Sequence, residues 1–377
     1  MRILIVAGGY PSSKYYMNRL FEFDQARALA ANGHQVILAA VDLRSIRRWR
    51  HWIFESLQKD NVHIEAFNFP LGPLPSWILQ FFGKVGLRFL YKKCEKVFGK
   101  PDIIHAHFTD IASITVKALK HTCIPVVMTE HSSGINSEII DKQLKVMATH
   151  VYRNVDEIVA VSQSLKQKIK REFNVDACYI PNIVDLEIYN YVPSDKVSSE
   201  FRFVSVGSLI PRKQMQLLIN GFSSFSKNVP NSELLIFGSG PEEEFLRNQI
   251  SNLGLSDKVK LQGSARREII ASVLKTSSCF VLVSEVETFG VVFIEALACG
   301  LPVIATISGG PETFIHAGNG ILIPVNDEKA LVEAMKTMYQ NYQYYDREKI
   351  AVEIIQKFSP KAVANQLQVL YQRVIND

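Results

Sequence analysis

The chain lacks the spacings that mark the commonest catalytic machines. No Gly-x-x-x-x-Gly-Lys-Ser/Thr loop, no Gly-x-Ser-x-Gly elbow and no His-Glu-x-x-His helix occurs in its 377 residues. The usual NTPase, serine-hydrolase and metalloprotease chemistries are thereby set aside. No two aspartates flank a single residue, so an Asp-x-Asp clamp for a divalent cation is missing as well. The five cysteines, Cys94, Cys123, Cys178, Cys279 and Cys299, show no metal-like spacing, and each lies in or near an apolar segment. They read as reduced core residues, which suits a cytoplasmic protein. No run is long and apolar enough for a membrane span, and the strand-like Ile3 to Ala7 meets Gly-Gly-Tyr-Pro too soon for a signal-peptide core. Charge is nearly balanced: 42 basic against 37 acidic residues leave a net +5, too small an excess to make nucleic acid the expected partner.

What the chain does have is alternation. Its length favours two domains, and each half alternates short β-rich runs with helical patterns, the rhythm of a parallel α/β sheet. In the first half ILIVA is followed by a helix ending near Asn32-Gly33 and by QVILAA. Gly8 and Gly9 fall at the carboxyl end of the first strand, where doubly wound sheets place ligands. DIIHAH ends in His105 and His107, and PVVMTEHSSG ends in Glu130 and His131, at what should be the same sheet edge. A single such histidine is more often structural than catalytic. EIVAVSQSLK fits a strand, a Ser162 cap and a helix. The polar stretch from Tyr191 to Glu200, with Pro193, Ser194, Ser198 and Ser199, is the linker candidate. RFVSVG, ELLIFGSGP, KVKLQG, CFVLVS and PVIAT then restart the alternation, and Ser359 with Pro360 opens a terminal helix. The expected domains are 1–190, 200–358 and a closing segment 359–377.

The most informative stretch is EVETFGVVFIEALACGLPVIA, Glu285 to Ala305. It reads as loop, helix and strand, with Thr288, Phe289 and Gly290 at the helix entrance and Gly300 at its end. Glu287 precedes the helix and Glu295 lies inside it, on a face that otherwise reads as buried. A carboxylate there is costly unless it is satisfied. Sugar hydroxyls would satisfy it, and the free amides near Gly290 and Val291 would suit phosphate oxygens. The plain alternative is that Glu295 pairs with a neighbouring Lys or Arg and Glu287 is solvated.

Glu-x7-Glu followed by Ala-Leu-Ala-Cys-Gly-Leu-Pro-Val resembles the signature of the retaining, nucleotide-sugar-dependent glycosyltransferases of family four, of the bacterial polysaccharide and lipid-glycan type. The resemblance implies the GT-B fold, two Rossmann-like α/β domains whose parallel sheets face a cleft, with 359–377 returning toward the N-terminal domain. Further segments carry it along the chain. FEFDQARALAANGHQV, with Gln25, resembles the family's first helix, and TEHS resembles its acceptor-side motif, which makes His131 a sugar contact and leaves Glu130 and His107 as lesser candidates. YIPNIVD, with Pro181, Asn182 and Asp185, resembles the crossing segment, although Ile183 stands where a glycine is usual. VGSLIPRKQ resembles the phosphate-binding segment: Lys213 matches the family lysine, Ser208 stands in place of an arginine, and adjacent Arg212 is the substitute cation. The glycines Gly238, Gly240, Gly309 and Gly310 match turns near the donor. By resemblance Glu295 binds the ribose and Glu287 the transferred sugar. Arg212 and Lys213 take the phosphates, Phe289, Gly290 and Val291 offer backbone contacts, Gly263 lies by the base, and Gly8, Gly9 and His131 serve from the first domain. Glu287, His131 and Lys213 are the catalytic candidates. The implied reaction passes a sugar from a nucleotide-diphosphate donor, UDP-sugar foremost, to a hydroxyl of a glycan or lipid-linked acceptor, with no metal and no other cofactor.

Two stretches stand apart. RSIRRWRHW, residues 44–52, interleaves Arg44, Arg47, Arg48 and Arg50 with Trp49 and Trp52. After a Pro-rich turn (Pro70, Pro73, Pro75), residues 76–98 set Trp77, Phe81, Phe82, Phe89 and Tyr91 among Lys84, Arg88, Lys92 and Lys93 at helical spacing. Both suit the headgroup layer of an anionic membrane, hence a peripheral location on its inner face; the second equally suits a helix packed on the sheet with its cations in water. Two rival functions follow: a GT-B nucleotide-sugar epimerase, which needs no acceptor, and a nucleic-acid-binding protein using the Arg/Trp cluster.

Overall fold

A computed structural model describes residues 1–12, 14–15, 18–43, 51–72, 74–193 and 200–377. Arg44, Arg47, Arg48, Trp49 and Arg50 of the first basic stretch, Pro73, and Ser194, Ser198 and Ser199 of the linker stretch lie outside the described residues. The chain divides into two compact units, Met1–Ile183 with Pro360–Asp377, and Val184–Ser359.

Unit 1 begins β1 (Arg2–Ala7), α1 (Leu20–Ala31), β2 (Gln35–Asp42), β3 (Ile53–Lys59), β4 (Val62–Asn68) and α2 (Ser76–Phe98). It continues β5 (Ile103–His107), α3 (Thr109–Leu119), β6 (Val126–Glu130), α4 (Ser133–Asn136), α5 (Lys142–Tyr152), β7 (Glu157–Ala160), α6 (Gln163–Phe173) and β8 (Cys178–Tyr179). The strands form one sheet in the order β3-β4-β2-β1-β5-β6-β7-β8. Every pairing is parallel except β3 with β4, a hairpin closed by Asp60 and Asn61, both at positive φ (49° and 61°) as a two-residue turn of this hand requires. The central strands are near-continuous apolar runs, with Ile3, Leu4, Ile5 and Val6 no more than 1% exposed, because helices cover both faces of a parallel sheet. α1 stops at Asn32 and Gly33, the latter at φ 86°, and Ser162 caps α6 by accepting from the Leu165 amide at 3.2 Å.

α2 has the bounds that the sequence outlines, and both alternatives for it hold in part. Gly83, Gly86, Leu87, Leu90, Tyr91 and Cys94 turn inward. A Cβ on Gly86 would stand 2.3 Å from the Phe67 ring and one on Gly83 2.5 Å from Ile114, so the absent side chains let α2 seat against β4 and α3. Outward, Trp77, Phe81, Val85 and Phe89 follow one another every four residues and are about half exposed or more, continued by exposed Lys92 and Lys96. No helix among the described residues is long and apolar enough to cross a membrane.

Unit 2 runs β9 (Phe201–Val206), α7 (Met215–Ser226), β10 (Ser232–Phe237), α8 (Glu243–Asn252), β11 (Val259–Gly263), α9 (Arg267–Thr276) and β12 (Cys279–Leu282). It then adds α10 (Val291–Ala298), β13 (Val303–Thr306), β14 (Gly320–Ile323), α11 (Glu328–Asn341) and α12 (Arg347–Phe358). Its sheet is parallel throughout, in the order β11-β10-β9-β12-β13-β14. The last helix, α13 (Pro360–Asn376), belongs to unit 1: Val363, Ala364, Leu367, Leu370 and Tyr371 join Phe23, Leu29 and Ile5 in that unit's core.

In each sheet the chain order reverses once beside the first strand, between β1 and β5 in unit 1 and between β9 and β12 in unit 2. At such a switch point the loops leaving the two carboxyl ends diverge, and the gap between them is where open α/β sheets bind ligands.

Candidate functional site

The loops beside the unit 2 switch point follow β9 and β12. After β9 a 3-10 turn, Pro211–Lys213, hands over to α7 through Gln214, which sits in the left-handed region at φ 52°. After β12, residues 283–290 lead to α10, whose first turn opens at Gly290, φ 86°, with no side-chain cap, so its leading amides stay available to a ligand. Lys213 and Glu287 meet as an ion pair between these loops, with side chains 15% and 11% exposed. Ser284 Oγ donates to Glu287 Oε1 at 2.8 Å, and the Glu287 amide donates to the Ser308 carbonyl at 3.0 Å. Gln214 Nε2 reaches Glu285 Oε1 at 2.7 Å, and the Glu285 amide donates to the Arg212 carbonyl at 2.9 Å, tying the loops together twice more. Two charges this far from water hold one geometry because each is the other's counter-ion. Ser208 is exposed and Arg212 half-buried on the same turn.

Glu295 lies on the buried face of α10, 8% exposed, and its Oε1 is 3.4 Å from Arg267 Nη2. Arg267, the first residue of α9, also stands 3.6 Å from Asp185 and packs its guanidinium 5.4 Å from the Tyr189 ring centre. The alternative left open for Glu295, a cation neighbour, is therefore realised, whereas Glu287 is held rather than solvated. Phe289 is buried against Phe314 and Phe358, centroids 5.2 and 5.8 Å away, so it anchors the loop beneath Gly290 and Val291. Gly263 ends β11 at φ 68° with open space where a side chain would start, and its carbonyl accepts from the Gly238 amide at 2.8 Å.

The unit 1 switch point has a different chemistry. Gly8 and Gly9 leave β1, and His107 and Phe108 leave β5. His131 follows β6, and its Nε2 shares a 3.0 Å hydrogen bond with His107 Nδ1. His105 stacks on His107 at 4.5 Å and His107 on His131 at 5.3 Å, a column of three imidazoles. At its inner end His105 bonds Tyr371 Oη at 2.6 Å and Thr129 Oγ1 at 2.7 Å. Burial pushes His105 and His131 down to about 3 and holds His107 well below the usual imidazole range, so all three are neutral at pH 7. Glu130 is a support: buried, it accepts from the His131 and Ser132 amides at 3.0 and 2.9 Å and from Tyr152 Oη at 2.9 Å.

Gly8, Gly9 and His131 are thus in unit 1, and Arg212, Lys213, Gly263, Glu287, Phe289, Gly290, Val291 and Glu295 in unit 2. Arg267, Ser284 and Gln214 were not anticipated. Nor was Arg19, whose guanidinium lies over Gly8, its Nη2 2.6 Å from where a Cβ would be. Among the described residues no group of three or more His, Cys, Asp or Glu side chains could hold a metal ion.

Comparison with known proteins agrees with this layout. Residues 192–353 match the family described as glycosyl transferases group 1, and residues 23–188 match glycosyltransferase family 4. Over 73% of this chain and 76% of its own, the N-acetyl-alpha-D-glucosaminyl L-malate synthase of Bacillus anthracis is 25% identical. The phosphatidyl-myo-inositol mannosyltransferase of Mycobacterium leprae is 26% identical over 74% of this chain and 75% of its own. Among solved structures, the sucrose-phosphate synthase of Thermosynechococcus elongatus superposes over 100% of both chains with a TM-score of 0.80 at 20% identity. Anabaena HepE in complex with UDP does so over 99% of this chain and 100% of its own, with a TM-score of 0.76 at 20% identity. Two doubly wound units, each matching its own half of one enzyme class, leave a single assignment: the chain belongs to the family-four glycosyltransferases and has the GT-B fold.

Proposed function

We propose that the protein is a retaining, metal-independent hexosyltransferase that passes a sugar from a nucleotide-diphosphate donor, foremost a UDP-sugar, to a hydroxyl of a glycan or lipid-linked acceptor. The observation that carries this reading is the pairing of Lys213 with Glu287 across the unit 2 switch point. A diphosphate leaving group needs positive charge where it departs, and the transferred sugar needs acceptors for its hydroxyls. One ion pair holds a group of each kind in place before the substrate arrives. HepE structures carrying UDP and UDP-glucose support the choice of base.

In the reaction the C1–O bond to the diphosphate breaks and its electron pair stays on the phosphate. The acceptor oxygen forms the new C1–O bond on the same face, and the acceptor's proton passes to the departing phosphate oxygen. Lys213 and Arg212 neutralise the growing charge together with the amides at Gly290 and Val291. Glu287 orients the sugar, Glu295 the ribose, and Gly263 borders the base. Neutral His131 exchanges hydrogen bonds with hydroxyls without adding charge.

The peripheral-membrane part of the reading rests on the outward face of α2, where aromatic and apolar side chains give way to Lys92 and Lys96. Such a face inserts rings at headgroup level and places ammonium groups by lipid phosphates. The test of the transfer reading is a thermal-shift series of UDP-, GDP- and ADP-sugars on the full chain, followed by incubation of the stabilising donor without acceptor. Stabilisation by a nucleotide sugar is expected. An epimerised sugar nucleotide formed with no acceptor present, or indifference to every donor, would overturn it.

A further inference from the structure

Among the described residues a cation, Arg19, stands at the unit 1 switch point, and the way it is held points outward. Arg19 precedes α1 in the left-handed region, φ 54°, a conformation that residues with a Cβ, asparagine and aspartate apart, rarely adopt. Phe108, on the loop across the switch point, is also at positive φ (65°). The two strained residues meet: the Arg19 guanidinium is 4.8 Å from the Phe108 ring centre, and the same ring lies 4.8 Å from that of His131. Backbone strain of this kind persists where the surroundings impose it, and it concentrates at ligand sites. A glycine at position 19 would relieve the strain but would not carry a charge.

Arg19 also faces carboxylates, Glu22 at 3.3 Å and Asp110 at 3.9 Å. They do not neutralise it fully. The Asp110 side chain is 56% exposed and screened by water. Glu22 is fully buried, one of its oxygens has no hydrogen-bond partner, and burial raises its pKa despite the arginine. The Arg19 side chain remains 27% exposed. Two further buried polar atoms at this edge have no partner among the described residues, Nε2 of fully buried His107 and Nδ1 of His131. Unpartnered groups in a native interior are few, and their gathering at a sheet edge marks a place where something else supplies the hydrogen bonds.

We propose that unit 1 carries an anion subsite in which Arg19, over Gly8, grips a phosphate or carboxylate of the acceptor while His131 meets an acceptor hydroxyl. The acceptor is then a charged polyol or a headgroup, and a neutral glycan binds poorly. This deepens the transferase reading and rests on it. It also separates two duties at the edge: among the described residues Arg19 supplies the charge, and the imidazoles beside it recognise hydroxyls.

The experiment uses the full chain. Glycerol 3-phosphate, D-glycerate and glycerol are titrated in thermal-shift and calorimetric assays against the wild type, Arg19→Lys and Arg19→Gln, and sedimentation with phosphatidylglycerol vesicles forms a second arm. In the wild type the two anions should bind at least about tenfold more tightly than glycerol, Arg19→Lys should keep part of that preference and Arg19→Gln should lose it. Binding to vesicles but to neither free anion, if abolished in Arg19→Gln and kept in Arg19→Lys, supports the subsite and names a lipid headgroup as its source. Equal binding of glycerol and the anions, or an Arg19→Gln variant that discriminates like the wild type, overturns the proposal. UDP titrated into the wild type tells the two failures apart: absence of UDP binding sinks the transferase reading, and UDP binding without anion preference sinks this inference alone.

Discussion

The two units share a central strand order, β4-β2-β1-β5-β6-β7 in one and β11-β10-β9-β12-β13-β14 in the other, and treat charge in different ways. At the unit 2 switch point buried Lys213 and Glu287 are each other's counter-ion, and nearby Arg267 is paired with Glu295 and Asp185. At the unit 1 switch point three stacked imidazoles are kept neutral by burial, beside buried Glu130, with strained Arg19 and its partner Glu22 at the rim. A preset ion pair suits a ligand that brings fixed, strong charge, and a neutral column suits hydroxyls whose acidity must not be perturbed before reaction. On the proposed reading, one rule covers both edges: polarity is prepared for what will be bound.

The largest expected break in that contrast is Glu287→Gln. With its carboxylate gone, Lys213 loses its counter-ion and the sugar its acceptor, and steady-state assays should show turnover reduced about a thousandfold, with UDP still bound. His131→Ala should cost less, about ten- to a hundredfold, since it removes a neutral partner. Equal losses would erase the distinction between the edges. Next comes Arg267→Gln. Leaving Glu295 and Asp185 without their shared cation should lower stability by about 3 kcal/mol in denaturant unfolding, and an unchanged midpoint would show the pairs to be idle.

The neutral column predicts a pH dependence. In the unfolded chain each histidine takes up a proton near pH 6.5, whereas His105 and His131 resist to about 3 in the folded protein. The unfolded state therefore binds more protons between those values. Stability contributed by the column is complete above pH 6.5 and is lost as pH falls, at up to about 1.4 kcal/mol per pH unit for each histidine. Buried Glu22 and Glu130, raised above the usual carboxylate range by burial, act in the opposite sense, stabilising at low pH. The clean measurement is thus the slope of stability against pH from 7 to 5 in the wild type minus that in His107→Asn, which should be positive; a zero difference would remove the column from the balance. A last effect concerns α2: Lys92→Ser with Lys96→Ser should weaken binding to anionic vesicles by about 2 kcal/mol, and Trp77→Ser should weaken it on neutral ones. Unaltered sedimentation would leave the helix a purely internal support.

Much of this was legible from the residues. Continuous apolar runs such as ILIV and VVM announce strands covered on both faces, and Pro, Gly and Ser at element ends set the bounds of α1, α6 and α10. The family wording around Glu287 and Glu295 led to the right fold because that stretch is local. The β3–β4 hairpin was passed over, although Asp60-Asn61 between two alternating runs is its signal. Partnerships were out of reach. Arg267 lies 28 residues from Glu295 and 82 from Asp185, and nothing in its neighbourhood distinguishes it from other basic residues near helix starts. Arg19 was equally hidden, since only the folded chain places it over Gly8 and against Phe108.

The seating of α13 in unit 1 bears on how the chain is made. Tyr371 closes the His105 column and Leu367 fills the core beneath α1, yet both leave the ribosome after all of unit 2. Domains generally mature in the order of synthesis, and here unit 1 must wait, incomplete, for a helix made after unit 2. Loss of the final 17 or so residues of the helix would consequently injure the half of the molecule most distant from them in sequence, and leave its immediate neighbour in the chain the better survivor.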